Sequence, residues 1–472
     1  VVLVCLAALF YKAATCSLTH DEAYSFLFYV PMSSIDILSF KKPFTNSHIL
    51  NTLLMKWSGW LFGNSELGLR LPNILAFIPY TCFGFLLLQE LKNKWLIIPS
   101  FIMLVANPFL LDFFALARGY ALAIALIISS IYFYSRYIKT QRNLFYLLAL
   151  ITGGASILAN FTSLYYMAML VALHQLFTLV NFSPQTQTNQ TWWINLYKKN
   201  KMTLFFFPVY ISIMFEPMRR LAKLPLDFGG TQGLWKDTAL TLIDKTMYEF
   251  TWPWLALILQ TCIYLTLGGI FIYWVVVFLN RKKQKFSSVF LPFFIQAVFT
   301  GIIFLCYLLH HIKGTQYLTD RMALFLVPLF WLSFVFLADR IKWKIAGIPV
   351  IALSLILGMQ TGFSLSFTSY TFWKSDASNK PMLTRLQEEQ KKQPMSQIQL
   401  GISWYLEPSL NYYRITRQLT WLKPLTRDRL QPGDQYCYIL WEDSNWVTNH
   451  QKYQLLETYP LSKSSLYKVT EP

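Results

Sequence analysis

Charge is scarce in this 472-residue chain. Asp, Glu, Lys and Arg make up 14% of it, where an ordinary soluble domain carries about a quarter, and a soluble protein of average make-up is thereby excluded. Cysteine pairs at ligand spacing are also missing. Cys5, Cys16, Cys82, Cys262, Cys306 and Cys437 are scattered, with no C-x-x-C, so neither a zinc site nor a disulfide framework follows. No internal repeat and no low-complexity segment stands out. A cleavable leader is lacking as well: the chain opens inside the apolar run Val1–Phe10, with no basic n-region and no A-x-A site. That pattern predicts an uncleaved first span, truncated at its start.

What fills the chain instead is hydrophobic sequence, 55% of all residues, with 17% aromatic. A span needs roughly 20 apolar residues, because backbone polar groups cannot face lipid unpaired. Apolar run length predicts about eleven, over 1–18, 66–90, 95–112, 119–138, 143–160, 162–181, 203–216, 252–280, 286–309, 321–338 and 343–364. The net charge of +18 is arranged around them. Lys92 and Lys94, then Arg136, Lys139 and Arg142, then Lys198, Lys199 and Lys201, then Arg281, Lys282, Lys283 and Lys285, then Arg340, Lys342 and Lys344 all fall on one side. This is the positive-inside pattern, with the first span entering from the cytoplasm. A nucleic-acid partner would need a basic stripe interleaved with exposed aromatics, and none is present.

The stretch His48–Phe62 is apolar but short and interrupted by Asn51, Lys56 and Ser58, which predicts an interfacial helix in the first outer loop. Reading it as a twelfth span would turn the later basic clusters outward. After about residue 365 the composition becomes polar, with a helical Leu383–Lys392 and strand-like Gln397–Trp404 and Tyr436–Trp441. The expected fold class is therefore a polytopic α-helical membrane protein of about eleven transmembrane helices plus a small C-terminal soluble α/β domain. The boundary falls between 1–365, the transmembrane part, and 366–472, an outer-face domain. The expected location is a bacterial inner membrane with that domain outside; an endoplasmic reticulum lumen would satisfy the same constraints.

Ionisable residues within spans are costly and commonly functional. Here Arg70, Asp112, Arg118, Glu216, Asp320 and Arg321 gather at the outer ends of spans, while His174 alone among them sits deep, where a structural hydrogen bond is the simpler role. A transporter would be expected to hold such groups near the midplane.

At that outer level an acidic pair, Asp21-Glu22, follows the first span. Ser47-His48-Ile-Leu-Asn, Gly63-Asn-Ser-Glu66-Leu-Gly-Leu-Arg70-Leu-Pro72, Ala117-Arg118-Gly-Tyr120 and Asp320-Arg321 come after it in order. This set resembles the GT-C glycosyltransferases, the superfamily of protein O-mannosyltransferases and the lipid A aminoarabinose transferase, over roughly residues 1–365. The resemblance implies an inverting transfer of a hexosyl or pentosyl group from a polyprenyl-phosphate sugar to a lipid, glycan or protein acceptor, at the outer face of the bilayer. By that resemblance Asp21 is the candidate general base and Glu22 its orienting neighbour or an acceptor contact. Arg118 and Arg321 are the candidate phosphate ligands, with His48, Arg70, Tyr120, Lys313 and Tyr317 as further substrate-binding candidates. Some members of the family bind a divalent metal near the acidic loop. Asp21, Glu22 and His48 are the residues for one here, though their spacing does not demand it. The competing readings are a transporter or flippase of a lipid-linked sugar and a non-catalytic scaffold. Neither needs the acidic pair.

Overall fold

The computed structural model describes residues 1–44, 47–180, 189–224, 229–248, 252–279, 286–341, 343–428, 430–448 and 452–470. The basic cluster Arg281, Lys282, Lys283 and Lys285, together with Lys342, lies outside the described residues.

The chain enters with α1 (Val2–Thr15), which stops short and is followed by α2 (His20–Phe28), α3 (Ser34–Leu38) and α4 (Ile49–Phe62). The break between α1 and α2 bends the chain by 69°. Sequence causes it. Thr19 takes extended geometry and closes a capping box with Glu22, satisfying orphan amides at the start of a new helix rather than continuing the old one. The helix α4 falls where an interfacial helix was expected, and it leaves Trp57, Trp60, Leu61 and Phe62 exposed, the composition of a helix lying among headgroups.

Next come α5 (Glu66–Leu88), α6 (Ile97–Val105) and α7 (Pro108–Phe114), α8 (Gly119–Thr140), α9 (Asn143–Ala159), α10 (Leu164–Val180) and α11 (Asn189–Leu221). A second bend, of 66°, separates α6 from α7, where Asn107 caps the amide of Leu110 at 2.9 Å and Pro108 starts the helix. The first turn of α8 is pressed onto the end of α9. A Cβ at Gly119 would lie 1.8 Å from the Ala159 carbonyl oxygen, so only glycine permits that approach.

The remaining apolar helices are α12 (Thr241–Met247), α13 (Pro253–Leu279), α14 (Phe286–Lys313), α15 (Leu326–Ala338) and α16 (Trp343–Ser364). Among the described residues six helices are long and apolar enough to cross a membrane, or up to eight if each bent pair is one span. Helices cover all eleven expected spans, but the count of eleven is not reached by length and composition. Asn143–Ala159 and Leu326–Ala338 are shorter, and α11 brings Lys198, Lys199 and Lys201 into its first half.

The C-terminal segment folds as α17 (Asn379–Lys392), β1 (Leu400–Ile402), α18 (Glu407–Thr416), β2 (Tyr436–Leu440), α19 (Asn445–Thr448), β3 (Tyr453–Tyr459) and β4 (Ser464–Val469). The sheet order is β1-β2-β4-β3, with β1 and β2 parallel and the other pairs antiparallel. The sequence predicts α17, β1 and β2. It misses β3 and β4, because Tyr-Gln-Leu-Leu-Glu-Thr-Tyr has no period-two alternation and its register shifts between Leu455 and Glu457.

This segment sits directly on the connection between α1 and α5. The Tyr413 hydroxyl accepts from the Leu18 amide at 2.8 Å and donates to Glu66 at 2.9 Å. Tyr412 donates to the Asn64 carbonyl at 2.7 Å, and Lys380 pairs with Glu66 at 3.1 Å. Among the loops expected to face inward, Asp339 accepts from the Lys92 and Asn93 amides at 3.0 and 2.8 Å, and Lys139 pairs with Glu90. Connections assigned to one side by their charge thus touch one another.

Candidate active site

The site is built around one fully buried ion pair. Arg70, in the first turn and a half of α5, donates from Nε to Glu22 Oε1 at 2.8 Å and from Nη2 to Glu22 Oε2 at 2.7 Å, both side chains being 0% exposed. Its other donors go to the Ala13, Cys16 and Ser17 carbonyls at 2.8, 2.9 and 2.8 Å. Those carbonyls end α1, where helix acceptors have no intrahelical partner. All five guanidinium N–H groups are therefore used. Glu22 in turn accepts from the Thr19 amide and hydroxyl and, at 2.7 Å, from the Ala117 amide. The fork-to-fork geometry makes this pair strong and rigid.

Glu22 precedes nothing by chance: the residue before it is Asp21, and the residue after Ala117 is Arg118. The segment 115–117 is fixed from three sides, by Glu22 on the Ala117 amide, by Asn51 on its carbonyl at 2.7 Å, and by Tyr370 on the Ala115 carbonyl at 2.8 Å. Asn73 backs Asn51 at 2.8 Å. The consequence is that Asp21 and Arg118 come together. Arg118 Nη2 lies 3.6 Å from Asp21 Oδ2, and Arg321 Nη1 donates to the same oxygen at 3.0 Å. Arg118 is closed off, whereas Arg321 keeps 24% of its side chain exposed and lies over the Trp373 and Phe372 rings at 5.6 and 5.9 Å.

His48 and Tyr120 complete this cluster. Their rings meet edge to face at 4.9 Å, and the Arg118 guanidinium lies 6.0 Å from the Tyr120 ring centre. Burial, followed by the Arg118 and Arg321 charges, holds the His48 imidazole well below its ordinary pKa. It is a neutral ring, and its buried Nε2 has no hydrogen-bond partner among the described residues. A neutral imidazole beside two guanidiniums fits an anion better than a cation.

A third layer comes from the C-terminal segment. Asp376 accepts from the His20 amide at 2.8 Å, from Asn379 at 3.1 Å and from Ser409 at 2.7 Å, and so holds the N-terminus of α2. Burial pushes its carboxyl up to about 7 against those three hydrogen bonds, and the Asp21 charge adds to the rise. The His20 ring stacks on Tyr405 at 4.4 Å.

The sequence-derived residues thus divide. Asp21, Arg118, Arg321, His48 and Tyr120 form one constellation. Glu22 and Arg70 are next to it but enclosed, with their polar atoms spent on one another, on Thr19 and on backbone. Lys313 is exposed at the end of α14, and Tyr317 stacks on His310 at 4.1 Å while its backbone pairs with Gly230. The structure records no contact of either with Asp21. His174 is buried with its ring stacked on Tyr146 at 4.0 Å, and Glu216 pairs with Arg219 and Arg220 on the surface of α11. A divalent metal does not fit the acidic loop. Both Glu22 oxygens are taken, Asp21 faces two guanidiniums, and no group of three or more His, Cys, Asp or Glu able to hold a metal occurs among the described residues.

Sequence reasoning missed Lys12. It lies in α1, 1% exposed, paired with Asp112 at 2.5 Å, and Asp112 also accepts from Tyr248 at 2.5 Å. A lone lysine inside the first apolar run was the signal. Asp376 and Tyr405 were missed for another reason: nothing in a polar tail distinguishes the residues that turn back to the membrane.

No protein-family model and no curated protein sequence matches the chain. Among solved structures it is similar to the crystal structure of ArnT from Cupriavidus metallidurans in the apo state, at 9% identity and a TM-score of 0.55, covering 99% of this chain and 96% of that one. The same enzyme bound to undecaprenyl phosphate aligns at 10% identity and a TM-score of 0.51, over 99% and 96%. The likeness is one of fold, shared over nearly the whole length of both chains.

Two outcomes follow from this geometry. Glu22→Gln strands the Arg70 charge in a buried site, a loss of about 3–5 kcal/mol, so the purified variant unfolds at clearly lower temperature than wild type, while Asp21→Asn does not; equal melting of all three would contradict the assignment. Asp376, with a folded-state pKa of about 7 above an ordinary 3.8, contributes stability that is complete below the lower value and lost as pH rises through the upper one. Thermal melting from pH 5 to 8 should show wild type losing stability relative to Asp376→Asn, and a pH-independent difference would refute it.

Proposed function

We propose that the protein is a membrane glycosyltransferase that moves a sugar from a polyprenyl-phosphate donor to an acceptor nucleophile at the outer face of the membrane, with inversion. The observation that carries this reading is the Asp21 carboxylate held by Arg118 and Arg321 beside the neutral His48. It puts a proton acceptor and a phosphate-binding pair of cations in one place. The GT-C fold is the background to it, and among similar folds the ArnT structure with undecaprenyl phosphate is one whose ligand is a lipid phosphate.

In the resting protein Asp21 offsets one of the two guanidinium charges. An arriving donor phosphate competes for them, and exchange of Arg321 from carboxylate to phosphate leaves Asp21 facing the anomeric carbon. The acceptor oxygen then attacks that carbon, its proton passes to Asp21, and the bond between the anomeric carbon and the phosphate oxygen breaks with its electron pair going to the phosphate. The leaving group gains one negative charge. Arg118 and Arg321 meet that charge with preorganised donors in a low-dielectric setting, where such contacts are worth most. A phosphate leaves as a stable anion, so no general acid is required.

The isoprenoid chain has a place as well. A cavity of about 410 Å³ lies between α12, α13, α14 and α15, walled by Leu242, Ile243, Leu259, Phe299, Phe330 and Trp331. The same α12 carries Thr241, whose hydroxyl accepts from the Asp320 amide at 3.3 Å, so the wall of the cavity leads to the turn bearing Arg321. On this reading 1–365 is the catalytic membrane part, and 366–472 is an outer-face domain that closes the site through Tyr370, Asp376 and Tyr405. The sugar is a hexosyl or pentosyl group.

Donor turnover in detergent, with release of sugar from a polyprenyl-phosphate donor as the readout, tests the assignment. Asp21→Asn should still bind donor but lose about 10²–10⁴ in rate. Arg118→Ala and Arg321→Ala should each lose transition-state stabilisation of about 3 kcal/mol, whereas Arg136→Ala, among the inward-facing clusters, should change little. Wild-type rates in all four, or no donor turnover by the wild type, as a transporter or scaffold would give, contradict the proposal.

A further inference from the structure

Two tryptophans stand exposed at one edge of the C-terminal sheet. Trp404 follows β1 and is 52% exposed; Trp441 follows β2 and is 73% exposed. Because β1 and β2 are parallel, their C-terminal ends share an edge. The residues just before each tryptophan are joined, the Leu440 amide donating to Ser403 Oγ at 2.9 Å. Large indoles left open to water at a sheet edge, outside any core, mark a surface that something covers.

What covers it can be read from the neighbouring groups. A cavity of about 350 Å³ beside Trp441 is lined also by Ser444, Thr458, Lys463, Ser465 and Tyr467. It combines aromatic faces with hydroxyls and an ammonium, unlike the mostly apolar cavity between α12 and α15. A hydrocarbon chain would strand those polar groups. A sugar ring suits both kinds at once, since its C–H face packs on an aromatic plane while its hydroxyls give and take hydrogen bonds. On the other side, the Trp404 ring meets the His20 ring edge to face at 6.2 Å, and His20 is the residue before Asp21.

We propose that the acceptor is a saccharide, held across the C-terminal edge of β1 and β2 with one ring in the Trp441 cavity and the next against Trp404, its reacting hydroxyl directed to Asp21. The identity of that hydroxyl as the attacking group rests on the glycosyl-transfer reading; the binding surface does not. The hydroxyls set beside aromatic faces are what select a sugar over a lipid chain.

The test uses the full-length protein in detergent with mannotetraose, cellotetraose and chitotetraose as probes in saturation-transfer difference NMR. At least one should receive saturation from the wild type. Trp404→Ala and Trp441→Ala should each cut that signal at least fivefold, and Trp95→Ala, exposed on the basic-cluster side, should keep it. With the same oligosaccharide as acceptor, Trp441→Ala should raise KM at least fivefold with kcat within twofold. Absence of binding by all three probes, or binding retained in the Trp404→Ala, Trp441→Ala double variant, overturns the proposal. A wild type that binds the oligosaccharide but releases no sugar from the donor would instead sink the glycosyl-transfer reading and leave the saccharide surface standing.

Discussion

The contact between Glu22 and Arg70 is the constraint on which the rest of the site depends. Two opposite charges removed wholly from water are expensive, and the attraction between them repays that cost only when geometry is good and every remaining lone pair and proton is used. Here every one is used. The spare guanidinium donors close the end of α1, and the spare carboxylate lone pairs start α2 and clamp the 115–117 segment. One ion pair thereby sets the bend after the first helix and the position of two neighbours in sequence, Asp21 and Arg118.

The same economy runs through the surrounding charges. Tyr370 has the Arg70 guanidinium 5.1 Å and the Lys12 ammonium 4.8 Å from its ring centre, so an aromatic face separates two buried cations while its hydroxyl holds Ala115. Lys12 is compensated by Asp112 on α7, which also accepts from Tyr248, the residue after α12. Arg321 differs from these. It is partly exposed and held to Asp21 by a single hydrogen bond, which suits the proposed switch from carboxylate to phosphate.

Much of this was legible in the chain. Apolar run length located the helices, and the charges Asp21, Arg118 and Arg321, expected at one level of the membrane, did converge. What was not legible follows from long-range pairing. A carboxylate that orients a neighbour and one that does chemistry look alike in sequence, so Glu22 reads as an orienting neighbour or an acceptor contact and Arg70 as a substrate contact until their full hydrogen-bond accounts are visible. Asp376 is some 350 residues from the helix it caps, and no local pattern announces it. Lys12 could have been found from depth alone, as a charge inside an apolar run; Lys313 and Tyr317, placed by motif order, lie apart from the cluster because the turn carrying them packs on Gly230 and His310 instead.

The most direct measurement is a structure of the protein with a non-transferable phosphonate analogue of a polyprenyl-phosphate sugar. The account predicts the phosphonate oxygens at ~3 Å from the Arg118 and Arg321 guanidiniums, with Arg321 withdrawn from Asp21, the anomeric carbon facing that carboxylate and the isoprenoid chain in the cavity between α12 and α15. A phosphonate bound elsewhere, with the Asp21–Arg321 contact intact, would contradict it.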